Sequence, residues 1–201
     1  MKNLGVLVSG RGSNLQALLD AASESAYPGR VAVVVSNVES AQALERARRA
    51  GVPAHFRDHR GRPREDFDRE LLALLRDHQV DLVCLAGFMR RLSPVFLGAF
   101  QERVLNVHPS LLPAFPGLEA QRQALEYGAK VSGATVHLVD EGLDRGPVIL
   151  QQAVPILEGD SVASLSARIL EVEHQLYPQA VRILLEGRYR RDGRRFILEG
   201  A

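Results

Sequence analysis

The sequence predicts an α/β fold, a mostly parallel sheet with helices on both faces and a mixed C-terminal part. Three observations predict it. Short apolar runs alternate with helix-patterned stretches through the first half of the chain. Those runs are apolar throughout, as strands buried on both faces are, and parallel strands need a long crossover between them. In the second half two strand-like runs follow one another across a loop, as neighbouring strands do.

Each element has its own signal. LGVLVS, residues 4–9, reads as the first strand, and NLQALLDAAS, residues 14–23, as a helix. RVAVVVS, residues 30–36, is the second strand, followed by a helix over AQALERARRAG that stops at Gly51. VPAHF reads as a strand, REDFDRELLALLRDH, residues 64–78, as an amphipathic helix, and VDLVCLAGF, residues 80–88, as a fully apolar strand. SGATVHLV and PVILQQAVPI are neighbouring strands joined by a Gly-rich loop that carries Asp144. The stretch SVASLSARILEVEHQLYPQAVRILLEG is a long helical region in which Pro178 starts a new turn or kinks the helix. RYRRDGRRFIL places an Asp192-Gly193 turn between two strand patterns, a hairpin signal. With no repeat and no linker, residues 1–201 read as one domain, with residues 187–201 as a C-terminal hairpin appendage.

Composition removes several function classes. A formal charge of +1 argues against a nucleic-acid binder held by a broad basic field. The one cysteine, Cys84, lies inside an apolar run, so it reads as a buried thiol in a reducing compartment. The apolar segment at the start is too short for a signal peptide, and no run reaches membrane-spanning length. The expectation is a cytoplasmic protein with no membrane partner.

Chemistry concentrates in VLNVHPSLLPAFPG, residues 104–117. Side chains alternate along an extended segment, so Asn106, His108 and Ser110 are expected on one face. An amide beside an imidazole can stabilise a developing oxyanion and move a proton, which is what acyl transfer needs. Asp144 is by default a turn former, and gains interest only where the fold returns it to His108. His137 and His174 are ordinary structural candidates, and His55, His59 and His78 sit among polar residues. The histidines show no paired metal-ligand spacing, so no metal is expected. Near the start, Gly10 and Gly12 let the backbone of SGRGSN bend close to a ligand, while Ser13 and Asn14 are expected to cap the following helix. A helix N-terminus of this kind attracts phosphate, though an empty strand-to-helix turn gives the same pattern. It matches neither the dinucleotide fingerprint nor the P-loop.

Together SGRGSNLQALL, LAGFMRRLSP, LNVHPSLLPAFPG and GATVHLVDEGLDRGPVILQ closely resemble the folate-dependent glycinamide ribonucleotide formyltransferases, over Leu4 to about Leu185. The resemblance implies a Rossmann-like sheet with both substrates at the carboxyl ends of the strands. It implies a formyl donor, 10-formyltetrahydrofolate, and an acceptor, glycinamide ribonucleotide. By matching motif, Asn106, His108 and Asp144 are the implied catalytic trio. Gly12, Ser13, Asn14 and Glu173 would bind the ribonucleotide; read alone, Glu173 is equally a solvated carboxylate on a helix. Arg64, Met89, Arg90, Arg91, Leu92 and Asn106 would bind folate; read alone, Arg64 is a solvated charge, and Met89 and Leu92 are core. Thr135 and His137 either support the trio or simply pack. Arg145 and Arg91 depart from the residues that relatives carry there, which bears on folate affinity. The resemblance also points to a cis Leu112-Pro113 bond in the turn after His108. Two other readings stand beside it. One is another formyltetrahydrofolate enzyme, a hydrolase or a sugar-amine or tRNA formyltransferase; the other is a non-catalytic nucleotide- or folate-binding module. Monomer and homodimer are both open.

Overall fold

The continuous apolar runs become strands covered on both sides. In the computed structural model, which describes residues 1–199, strand β1 (Lys2–Val8) carries Leu4, Val6, Leu7 and Val8 with no exposed surface. Successive side chains point to opposite faces, so burial of three in a row requires cover on both. Strands β2 (Gly29–Ser36), β3 (Ala54–Phe56), β4 (Leu82–Leu85) and β5 (Val104–His108) join β1 through parallel ladders, in the order β3-β2-β1-β4-β5. The crossovers carry helices α1 (Ser13–Ser23), α2 (Gln42–Arg49), α3 (Arg64–Asp77) and α4 (Pro94–Ala99). These elements make up the first of two compact units, which ends at Asn106 within β5. Cys84 is fully buried in β4, as its apolar run suggests.

The strand order has a direct consequence for function. From β1 the chain moves outward through β2 and β3, then returns to place β4 on the other side of β1. The direction of winding therefore reverses between β1 and β4, and the crevice outside their carboxyl ends is where open α/β sheets bind ligands. SGRGSN leaves the end of β1, and Gly87–Leu92 leaves the end of β4.

The second unit begins at Val107. After helix α5 (Ala120–Tyr127), strands β6 (Val131–Leu138) and β7 (Val148–Pro155) pair antiparallel, with a register shift between Val136 and His137. Helix α6 (Val162–Glu186) packs on both strands. It runs unbroken through Pro178, where a new turn or a kink is expected from sequence. Pro178 removes one helical donor, but buried Leu165, Ile169, Leu176, Tyr177, Ala180 and Val181 lie on both sides of it and hold one continuous helix. The hairpin is present as β8 (Tyr189–Asp192) and β9 (Arg195–Leu198), with β9 against β7. Its two turn residues are Gly193 and Arg194 rather than Asp192 and Gly193, because Asp192 pairs with Arg195 and Gly193 takes the positive φ of 59°. Helices α4 and α5 are additional to the helices expected from the sequence, and α4, at six residues, is too short for a clear period.

Candidate active site

The turn after β1 is built around Gly12. Its φ is 76°, and a Cβ there would lie 2.6 Å from the Ala43 Cβ of α2, so both conformation and space require glycine. Gly12 is itself the N-cap of α1, and no side chain caps the helix. The expected capping by Ser13 and Asn14 is therefore corrected: both already lie in the first helical turn, because the left-handed glycine starts the helix one residue earlier. The first-turn N–H groups of a helix lack intrahelical acceptors, and without a side-chain cap they face a ligand more readily. Arg46, reaching from α2, donates from Nε to the Arg11 carbonyl at 2.9 Å and fixes the turn from outside.

At the end of β4, Met89 is 65% exposed while Leu92 is buried. Core packing therefore accounts for Leu92 and fails for Met89. Arg64 and Arg91 are exposed. The Arg90 guanidinium lies 4.9 Å from the centre of the Phe67 ring, and its Nε is buried with no hydrogen-bond partner among the described residues. The far end of this loop is held by buried Asp68, whose Oδ2 accepts the Ser93 N–H at 2.6 Å.

Asn106 and His108 stand two residues apart on β5, on one side of the strand; Asn106 is half-buried and His108 buried. Ser110 does not share that face. Pro109 ends the strand, and Ser110 is buried in the turn, donating its hydroxyl to the Ala114 carbonyl at 2.5 Å. His108 meets the loop between β6 and β7. Its Nδ1 is 3.5 Å from Asp144 Oδ2, and its Nε2–H donates to the Phe115 carbonyl at 2.9 Å. A carbonyl and a carboxylate both only accept, so a protonated ring satisfies both contacts at once. Asp144 has a φ of 51°, a left-handed conformation that Asp tolerates, and its Oδ2 also accepts the Gly117 N–H at 2.8 Å. His137 approaches the other oxygen, Nε2 to Oδ1 at 3.8 Å, while its Nδ1–H donates to the Leu138 carbonyl at 2.8 Å. Burial pushes the His137 pKa down, against the Leu138 carbonyl and Asp144, which raise it; His108 lowers it further. The register shift beside His137 is where such a strand re-aims a side chain.

Backbone closeness shapes the Asp144 loop. A Cβ on Gly146 would lie 1.6 Å from the Leu138 carbonyl oxygen, so the D-x-G-P-V-I pattern needs its glycine for approach rather than for φ. From the hairpin, Arg194 donates from Nη2 to the Arg145 carbonyl, one residue from Asp144.

The model of the formyl transferase family matches residues 2–181. The chain belongs to the formyl transferase family. Within that family it is 47% identical over 187 residues to phosphoribosylglycinamide formyltransferase of Escherichia coli K12, covering 92% of this chain and 88% of that one. It is 49% identical over 193 residues to the trifunctional purine biosynthetic protein adenosine-3 of Drosophila pseudoobscura pseudoobscura, covering 94% of this chain but only 14% of that much longer relative. Among solved structures, glycinamide ribonucleotide transformylase 1 from Symbiobacterium toebii superposes with a TM-score of 0.97 at 57% identity, covering 99% of this chain and 94% of that one. The Rossmann-like fold implied by the resemblance is thereby shown.

Three further contacts hold the loops of the candidate site, and of their residues the sequence marked Thr135 alone, as support for the trio or as packing. Thr135 on β6 donates its hydroxyl to the Ser110 carbonyl at 2.7 Å and accepts the Leu112 N–H at 3.1 Å. Its cross-strand partner Gln151 donates from Nε2 to the Leu112 carbonyl at 2.7 Å. The pair latches the turn that contains the cis Leu112-Pro113 bond, which is cis as expected. Thr135 is thus more than packing. Arg46 and Arg194 are the other two; nothing in their local sequence marks their reach. Glu173, which could have been a solvated carboxylate, is 6% exposed on α6 and is not a surface charge.

Proposed function

We propose that the chain transfers the formyl group of 10-formyltetrahydrofolate to the primary amine of glycinamide ribonucleotide, giving formylglycinamide ribonucleotide and tetrahydrofolate in purine biosynthesis. The observation that carries this reading is the Asp144 carboxylate facing the buried His108 imidazole, two residues along β5 from Asn106. As the acceptor amine attacks the formyl carbon, charge develops on the formyl oxygen. Asn106 donates a hydrogen bond to that oxygen, and a protonated His108 stabilises the same charge. The attacking amine gives up a proton and the departing folate nitrogen takes one, by way of a water, or of His108 once its Nε2–H leaves the Phe115 carbonyl. Asp144 holds the imidazole in place and balances its charge.

The binding roles rest on the same reading. Gly12, Ser13 and Asn14 hold the phosphate of the ribonucleotide through the first turn of α1, and Glu173 contacts its glycinamide part. Exposed Met89 faces the folate ring, and buried Leu92 anchors the segment that carries it. Arg64, Arg90 and Arg91 take the carboxylates of its tail, and the buried donor on Arg90 fits that demand because a ligand oxygen would satisfy it. Asn106 lies next to the folate as well as to the reacting centre. The single buried thiol of Cys84 fits a reducing, cytoplasmic setting.

Incubating the chain with 10-formyltetrahydrofolate and glycinamide ribonucleotide should release tetrahydrofolate only when the ribonucleotide is present. Formate release with water alone would make it a hydrolase, and a preference for a sugar amine or aminoacyl-tRNA would move it elsewhere among formyltetrahydrofolate enzymes. No turnover, with either ligand still bound, would make it a binding module.

A further inference from the structure

Ser9 stands between the two loops of the switch point and belongs to neither matched subsite. It follows the last residue of β1 and precedes the Gly-rich turn. Its N–H donates to the Gly87 carbonyl at 3.1 Å, and its Oγ accepts the Met89 N–H at 2.8 Å. One residue thus grips the loop after β4 on either side of Phe88, at Met89 and at Gly87, whose φ is 73°. The hydroxyl proton is committed too: Ser9 Oγ donates to Asn37 Oδ1 at 2.6 Å. Asn37, buried at the end of β2, is fixed in turn by His59, with Asn37 Nδ2 3.3 Å and the Asn37 carbonyl 3.2 Å from His59 Nδ1. Because the hydroxyl points its only proton at Asn37, its lone pair is aimed at the Met89 amide. The Ser9 hydroxyl is thus committed on both sides, donating to Asn37 and accepting from Met89.

We propose that Ser9 is the positioning residue of the formyl-donor subsite, setting the height and angle at which Met89–Leu92 meets the folate ring. The proposal rests on the function given above, since that reading makes Met89–Leu92 a folate surface. It separates Ser9 from its neighbours: Gly12, Ser13 and Asn14 serve the acceptor phosphate, while Ser9, three residues earlier on the same turn, serves the donor. An alanine at position 9 keeps the backbone bond to Gly87 but leaves the Met89 N–H without its acceptor, and the exposed Met89 step has no second bond among those described to restore it.

The test measures both KM values and kcat for wild type, Ser9→Ala and Ser9→Thr, with melting temperatures alongside. Wild-type transfer from 10-formyltetrahydrofolate to glycinamide ribonucleotide tests the function on its own; if it fails, titration with tetrahydrofolate reads the same comparison as Kd. Ser9→Ala should raise the donor KM, or the tetrahydrofolate Kd, by about ten-fold, the scale of one buried hydrogen bond lost with its donor left unpaired. The acceptor KM should change less than about two-fold, and Ser9→Thr, which keeps the hydroxyl, should recover most of the loss. If Ser9→Ala does not fold, Asn37→Ala, which leaves the hydroxyl but removes its orienting acceptor, should show the same donor-selective rise at about three-fold. Equal changes in both KM values, an unchanged donor constant, or a fall confined to melting temperature and active fraction would overturn the proposal.

Discussion

In the proposed reaction most of the chemistry turns on Asp144, which two imidazoles approach, His108 at 3.5 Å and His137 at 3.8 Å. His137 spends its Nδ1 proton on the Leu138 carbonyl and is held toward neutrality by burial, so it presents Nε2 to Asp144 without a proton. His108 is left as the partner that balances the carboxylate. Replacing Asp144 with Asn keeps size and turn compatibility and removes the charge, so kcat should fall on the order of 10²-fold or more with little change in either KM. His108→Ala should lose at least as much. The double variant should lose far less than the product of the two, because the residues act as a unit. Steady-state kinetics decides the matter: multiplicative losses, or a near-normal Asp144→Asn, would leave Asp144 as a loop former only. Alternation along VLNVH put Asn106 and His108 on one face, whereas Asp144 read alone as a turn former and joined them only through the family resemblance. That Ser110 turns away was not legible, because one proline ends the strand and alternation stops with it.

At the level of elements, both candidate ligand loops depend on how a strand ends. Asn14→Ala, in the first turn of α1, should raise the acceptor KM about ten-fold, the scale of one charge-assisted hydrogen bond. A rise in the donor KM alone would reverse the subsites. Gly12→Ala should be more damaging to folding, by about 1–3 kcal/mol for a left-handed non-glycine, with a clash against Ala43 added, and urea unfolding will measure it. The strands and long helices were readable because periodicity reports burial over many residues. Contacts that cross between elements were not. The Thr135–Gln151 latch on the turn, the reach of Arg46 to the Arg11 carbonyl and the buried Asp68 under Ser93 each join residues with no shared local pattern. The cap of α1 was misread for the same reason: what selects Gly12 is Ala43, some thirty residues away in sequence by the chain numbering.

Across the molecule as a whole, two histidines tie stability to pH just below neutrality. Burial pushes the pKa of His55 below the ordinary value, with Arg57 and His78 adding to it, and burial does the same to His137. Below about pH 6.5 the unfolded chain takes up protons at these sites that the folded chain refuses, so stability should fall as the pH drops through that value and on toward the folded values. Above it the two states bind alike, and this contribution is fully present. Urea unfolding at about pH 7.5 and about pH 5.5 should show the loss, and His55→Gln should shrink it. An equal loss in that variant would assign the effect elsewhere. The hairpin acts on the same scale, since it lies beyond the family-matched stretch and yet touches the Asp144 loop. Ending the chain after Gly187 should lower kcat by about five-fold, the net worth of one hydrogen bond, while Arg145→Ala should be silent. The asymmetry follows from what Arg194 holds. It grasps a main-chain carbonyl, which every amino acid supplies, so position 145 is free to drift under mutation while position 194 is not. The two arginines, nearly fifty positions apart, should therefore part ways on substitution: Arg194→Ala should lower kcat about as far as removing the hairpin does, and Arg145→Ala should not.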